Sequence, residues 1–569
     1  MSAPDLVIRN ATLVDGSGAP PVAADVAVAG GRIAAVGKVE AAGRREVDAG
    51  GHVVAPGWVD IHTHYDGQAT WDPYLSPSCW HGVTTAVMGN CGVGFAPVRD
   101  VQRDWAIELM EGVEDIPGAV LHEGVQWTWE TFPQYLDALE KKPHAIDVAA
   151  QVPHGAVRVY VMGDRGRRRE KATGEELSAM AGIVRDAIRA GALGFSSSRA
   201  MVHKSSKGES IPSLDVPAAE YKAIAAGVRE AGTGVLQMIS DFEDLDAEFA
   251  LMRDAAREAG RPLSFTLLQN DRFPGRWREI LRRVAAARAE GVDMKAQVAC
   301  RPIGLMLGLQ CTMSPFMFAS AYQAIAMLPL AERVARLRDP AVRAAILADN
   351  PDPGTPRLEQ ITRAHHKHFP LDEGFSYEPD PADSMAARAE RAGVPVREYV
   401  YDFMLRDEGR QLMYCPLYNY ADGDLEAVRE MMADPNSLLG LGDGGAHNGY
   451  ICDSSYPTFL ISHWTRDRTR GGRLPLEWLV RRQTRANALA MGLSDRGLVA
   501  PGMKADLNVI DLGRLRASMP TVVNDLPAGG RRFVQRAEGY RMTIVSGVPV
   551  FEEGEPTGAM PGALVRGAR

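Results

Sequence analysis

Eight short apolar runs, each closing on a polar or glycine-rich tip, are spaced along the chain: VVAPGWVDIHTH, VTTAVMGNC, AIDVAAQVPH, ALGFSSSR, GVLQMIS, LSFTLLQN, MKAQVACR and SLLGLGDGG. Runs of this kind read as strands buried on both faces. Between most of them, apolar residues recur at spacings of three and four, as in GEELSAMAGIVRDAIRAG, VPAAEYKAIAAGVREAG and GRWREILRRVAAARAEG. That is the period of an amphipathic helix. Strand then helix, repeated eight times, predicts an α/β protein built on a (β/α)8 TIM barrel. Ahead of it, residues 5–50 alternate in short runs between Gly and Pro and predict a small β unit. The spacing breaks once: residues 301–436 separate the seventh and eighth runs, far more than one crossover needs. An insertion beside the catalytic face reads as a lid or pocket wall. Its Met306, Met313, Met317 and Met327 suit ordinary core or a subunit interface, or else an acyl- or aryl-accepting wall.

In a barrel of this kind the chemistry sits at the carboxyl ends of the strands. Those ends carry His62, His64, Cys91, His154, the serines of SSSR, Asp241, Gln269, Asn270 and Asp443. Alternate residues of a strand point the same way, so His62 and His64 are placed to share one metal ion. The competing reading is two satisfied structural histidines. Cys91 ends the second strand, one crossover after the HxH pair, and reads as a thiolate ligand, although a free Cys more often serves packing. Cys79, Cys300, Cys311, Cys415 and Cys452 have apolar or small neighbours and read as buried small hydrophobes. The cluster AHHKH at 364–368 looks metal-like but reads as a solvated helix face, and His154 as a hydrogen-bonding residue behind the site.

The 569 residues carry a net charge of −9 and no basic cluster beyond RGRRRE at 165–170, which argues against nucleic acid. The start, MSAPDLVIRN, has no signal-peptide pattern, and no run of 18 apolar residues follows. With six cysteines and no CxxC pair, the expectation is a cytoplasmic protein with no membrane anchor. A homo-oligomeric state is left open.

With these residues in place, the chain resembles the amidohydrolase superfamily. The motifs are VIRNATLVDGSG, GRIAAVG and APGWVDIHTHYD, then GVTTAVMGNCGVGFAPV at 82–98. GNCG is similar to the N-acyl-D-amino-acid deacylase (D-aminoacylase) branch, and RGLVAPGMKADLNVIDL and VSGVPVFEEGEPTGAMPGALVRG are similar to its closing strands. The resemblance implies a β-sandwich shared by residues 1–55 and 496–569 around a barrel at 56–495. It also implies a hydrolase acting on an N-acyl amide bond of a small molecule, in which Asp443 binds the metal and moves the proton as general base and then acid. Asp443 as a mere turn residue before Gly444 is the alternative.

Two departures matter. The branch places a ligand His at the end of the fifth strand and another at the end of the sixth, where this chain has VLQMISDFED and LSFTLLQN without histidine. The expectation is therefore one zinc ion per chain on His62, His64 and Asp443, with Cys91 as fourth ligand or close neighbour, and Asp241, Gln237 and Gln269 available as substitutes. The cations that the branch would use for a substrate carboxylate are also missing, Gln269 and Thr458 standing in their places. His203, Lys204, Arg199 and Arg301 remain as substrate-binding candidates, and His447 as ligand, oxyanion donor or plain loop residue. A cyclic-amide, lactone or deaminating hydrolase, or a metal-poor relative that only binds a small molecule, stays open.

Overall fold

The computed structural model describes residues 3–567. At its centre lies a parallel sheet of eight strands in chain order: β1 (Trp58–Asp60), β2 (Val83–Met88), β3 (Asp147–Pro153), β4 (Gly194–Arg199), β5 (Val235–Ser240), β6 (Leu263–Thr266), β7 (Met294–Val298) and β8 (Ser437–Leu439). Every one falls inside an apolar run of the sequence. The sheet's two ends meet just beyond the strands: Thr63 bridges Gly444, the His64 amide donates to the Gly444 carbonyl at 2.7 Å, and the Asp443 amide donates to the His62 carbonyl at 3.0 Å. The sheet thus curls back on itself as a TIM-type barrel does. β2 and β3 are buried at every position, which is why they read as unbroken apolar runs.

The crossover helices follow their periodicity. Gly174–Ala190 opens on a Thr173/Glu176 capping box, buries Met180, Val184, Ala187 and Ile188 along one stripe, and stops at Gly191, whose φ of 119° only glycine adopts cheaply. Between β2 and β3 runs α1 (Arg103–Glu114), which ends at the barrel mouth. Both chain ends share a second sheet of nine strands, in which Val53–Pro56 pairs antiparallel with Leu507–Ile510. Leu6, Ile8, Val26, Val54, Leu507 and Ile544 form its core. Residues 516–538 leave that sheet for the barrel, where the Phe533 amide donates to the Asn448 carbonyl and Gln535 accepts from Tyr377 and Ser455.

Residues 301–436 carry a three-stranded antiparallel sheet (Ile303–Leu307, Phe369–Leu371, Leu412–Tyr418) and a core of their own around Leu305, Phe316, Tyr401 and Met413. The segment is hydrogen-bonded to the loops that follow β8, α1 and β6: the Met306 amide donates to the Tyr450 carbonyl, Thr312 bonds Asp115 just past α1, and the Asn419 amide donates to the Gln269 carbonyl. Met306 is core, whereas Met327 is 95 % exposed. The solvated helix face expected for AHHKH is corrected here. His365 and His368 are buried, with their Nδ1 atoms 3.1 Å apart, because the chain turns there into the strand Phe369–Leu371 and carries both rings inward.

Glu378 fixes this segment to the helices after β8. Its carboxylate accepts both Nε and Nη2 of the fully buried Arg468 at 3.0 Å, as well as the Leu425 amide and His463 Nε2. Burial works against the charged form, but His463 and Arg468 outweigh it and hold the carboxyl down at about 2. Its stabilising contribution is therefore present above the ordinary value of about 4.3 and fades as the pH falls from there to about 2. Removing one partner of a buried pair strands the other charge, so Glu378→Ala is expected to cost about 3–5 kcal/mol by denaturant unfolding. A loss below about 1 kcal/mol would show that the ion pair anchors nothing.

Candidate active site

The carboxyl ends of β1 and β2 and the turn after β8 converge on one buried point. Past Asp60 the chain stays extended, so His62 and His64 emerge on the same side, each 2 % exposed. Cys91 and Asp443 arrive on tight turns with φ of 55° and 44°. Left-handed backbone costs a non-glycine residue roughly 1–2 kcal/mol, and such strain is kept where a side chain must point to one place.

His62 Nε2 lies 3.3 Å from Cys91 Sγ and 3.4 Å from Asp443 Oδ1, and His64 Nε2 lies 3.6 Å from the same carboxylate oxygen. The donor atoms of His62, His64 and Cys91 all fall within 4.8 Å of one another, the one such group of His, Cys and acidic residues among the described residues. Ligand atoms bonded at 2.0–2.3 Å to a tetrahedral ion stand about 3.3–3.7 Å apart, so the measured separations suit one small divalent cation.

The surroundings set the chemical state of each donor. His62 Nδ1 donates to Gln297 Oε1 at 2.7 Å, while Gln297 Nε2 is spent on Ser264 Oγ at 2.9 Å. The amide oxygen therefore faces the imidazole, the proton sits on Nδ1, and the Nε2 lone pair is free for a cation. Gln297→Leu is expected to weaken metal affinity by about 10–100-fold, read by competition with a chromophoric chelator; unchanged affinity would remove Gln297 from the site. Cys91 is held from behind, its amide donating to Gln237 Oε1 at 3.0 Å. Burial pushes its thiol up to about 11. His64 is raised well above its ordinary value: burial pulls it down, but Glu114 and Asp443 more than reverse this. Asp443, in turn, is held below the usual carboxylate range despite burial, by the His64 hydrogen bond and the His62 charge.

Glu114, the last residue of α1, is absent from the sequence reading. Its Oε1 stands 3.3 Å from His64 Nδ1, short of full hydrogen-bond alignment, and its Oε2 stands 3.8 Å from His447 Nε2. Burial drives its carboxyl up to about 7. A signal was available, because Glu114 continues the buried stripe of Ile107 and Met110, an odd place for an acid.

The other sequence candidates divide. His203 and His447 border the site: His203 Nδ1 bonds Ser198 Oγ at 2.9 Å, and His447 stacks on Tyr450 with ring centroids 5.6 Å apart. Three candidates are corrected. Arg199 gives its Nε to both carboxylate oxygens of Glu248; Arg301 is fully buried under the Tyr377 ring at 3.6 Å and paired with Asp453; Gln269 donates to Asp422. Arg199 and Gln269 are thus satisfied inside the fold, and Arg301, whose Nε and Nη1 carry no hydrogen bond, is enclosed by the Tyr377 and Tyr456 rings. Asp241 accepts the Met201 amide, Thr458 bonds His81, and His154 bridges Ser197 and Glu220.

The sequence profile of the amidohydrolase family matches residues 45–551. A D-aminoacylase from Alcaligenes xylosoxydans xylosoxydans is 28 % identical over 572 residues, covering 99 % of this chain and 97 % of its own. An N-acyl-D-aspartate deacylase from the same organism is 39 % identical over 193 residues, 34 % of this chain and 36 % of its own. Among solved structures, a D-aminoacylase described as having a binuclear metal centre, with one-metal activation and second-metal attenuation, superposes with a TM-score of 0.66 at 24 % identity, over 99 % of this chain and all of its own. An N-acyl-D-glutamate deacylase from Bordetella bronchiseptica, complexed with zinc and a phosphonate inhibitor, superposes with a TM-score of 0.65 at 23 % identity and the same coverage. These last two similarities establish the fold.

Proposed function

The chain belongs to the amidohydrolase family, and on that premise we propose that it hydrolyses the N-acyl amide bond of a small acylated amino acid. The full-length D-aminoacylase relative and the deacylases that match in part support this substrate class. One observation carries the reading: His62, His64 and Cys91 hold their donor atoms within 4.8 Å of one another at a buried point, and Asp443 Oδ1 stands 3.4 Å from His62 Nε2 and 3.6 Å from His64 Nε2. These residues would hold a single zinc ion, with Cys91 as fourth ligand or close neighbour, a donor set of nitrogen, sulfur and oxygen that zinc accepts well.

When bound, the ion acidifies a water molecule and polarises the scissile carbonyl. Asp443 moves the proton. Held as a carboxylate by the two imidazoles, it takes the proton from the attacking water and returns it to the amide nitrogen as the C–N bond breaks. Gln297 and Glu114 orient His62 and His64 from behind, and His203 and His447 border the substrate. We also assign residues 301–436 as the wall that closes the mouth.

Among the described residues no helix is long and apolar enough to cross a membrane. The test is hydrolysis by the zinc-loaded chain of N-acetyl D- and L-amino acids alongside neutral and cyclic amides. Turnover of the acyl amino acids is expected. Turnover confined to cyclic amides, or none at all after zinc reconstitution, would refute the assignment.

A further inference from the structure

Two of the cations that the sequence offered for a substrate carboxylate are engaged within the fold, Arg199 with Glu248 and Arg301 with Asp453, and a third, Lys204, is exposed in the loop after β4. The segment over the barrel mouth supplies another. Arg357 lies on α2 (Pro356–Thr362), half-buried, and makes no hydrogen bond or ion pair among the described residues. Other half-buried arginines of the same segment are engaged: Arg343 with Glu398 and Asp402, Arg388 with Asp372, Arg397 with Asn350, Arg429 with Glu426. A half-buried guanidinium with no partner in the protein is free to receive an anion.

The helix is turned the right way. Gln360, one turn beyond Arg357 and on the same face, donates to Asp271 in the loop after β6 and to the Pro416 carbonyl, so this face looks onto the mouth. The field of Arg357 is felt there. Burial first, and then the charges of His64, His447 and Arg357, pull His203 down to about 3. His447, Tyr450 and Asp241 feel the same guanidinium. Asp241, an acid within reach of that field, already accepts the Met201 amide at 2.7 Å.

We propose that Arg357 receives the free carboxylate of the substrate, making this chain selective for acylated amino acids over neutral amides through a residue of its insertion rather than of its barrel. The proposal rests on the acyl-amino-acid reading of the same site. A guanidinium suits the role because its planar fork matches a carboxylate with two parallel hydrogen bonds.

The test is calorimetric titration with N-acetyl-D-leucine and with its carboxamide, done on the hydrolysis-dead Asp443→Asn full-length chain loaded with zinc, so that binding is read apart from turnover. With Arg357 present, the acid is expected to bind about tenfold or more tighter than the carboxamide. Arg357→Gln should erase that preference, Arg357→Lys should keep part of it, and Arg336→Gln, at an exposed cation of the same insertion, should leave it intact. Equal binding of acid and carboxamide, absence of binding by either, or a preference that survives Arg357→Gln would overturn the proposal. Failure of the wild-type chain to hydrolyse any acyl amino acid would instead refute the catalytic reading while leaving this binding comparison interpretable.

Discussion

Asp443→Asn is expected to lower kcat by about a hundredfold or more while the protein keeps its metal. Asparagine preserves the size of the side chain and one oxygen toward His62 and His64, which stand 3.4 and 3.6 Å from the carboxylate in the native site. What it loses is the ability to carry a proton from water to the leaving nitrogen, a service usually worth about 10²–10⁴ in rate. The check is steady-state kinetics on an N-acetyl amino acid alongside elemental analysis of the same sample. A variant with full metal content and near-native kcat would assign proton transfer to another group, the neighbouring Glu114 first, since its carboxyl is raised to about 7.

The second large effect is His62→Ala, expected to strip the site of metal at ordinary affinities. His62 is the residue that two of the other three donors approach, Cys91 at 3.3 Å and Asp443 at 3.4 Å, and it is the one whose tautomer is fixed by Gln297. Without its Nε2 the site keeps one imidazole, one thiol and one carboxylate, one donor fewer than the set proposed for zinc. Metal affinity should fall by well over the 100-fold attached to a residue behind the site, measured by chelator competition, and catalysis should fall with it. Metal retained at native affinity in His62→Ala would place the ion elsewhere.

What was legible in the sequence was whatever local pattern controls. β1 to β8 are buried on both faces and so appear as apolar runs, and His62, His64, Cys91 and Asp443 follow strand ends directly. The supporting residues were not legible in this way. Gln297 lies inside β7 and reaches His62 across 235 positions of sequence, and Glu114 arrives on a helix whose end is fixed only by packing. Sequence also shows no pairing between side chains: Arg199 and Arg301 looked free for a ligand because Glu248 and Asp453 lie 49 and 152 residues away. Arg357 was passed over for the converse reason, since only the folded insertion turns its helix to the mouth. The histidines of AHHKH were misjudged because burial there is set by the strand that follows, not by helical period.

The central claim is tested most directly by zinc stoichiometry of the full-length protein, measured by elemental analysis together with hydrolysis of N-acetyl amino acids before and after chelation. The account predicts about one zinc per chain and turnover that disappears and returns with it. Two tightly held ions per chain, or turnover indifferent to complete removal of metal, would contradict it.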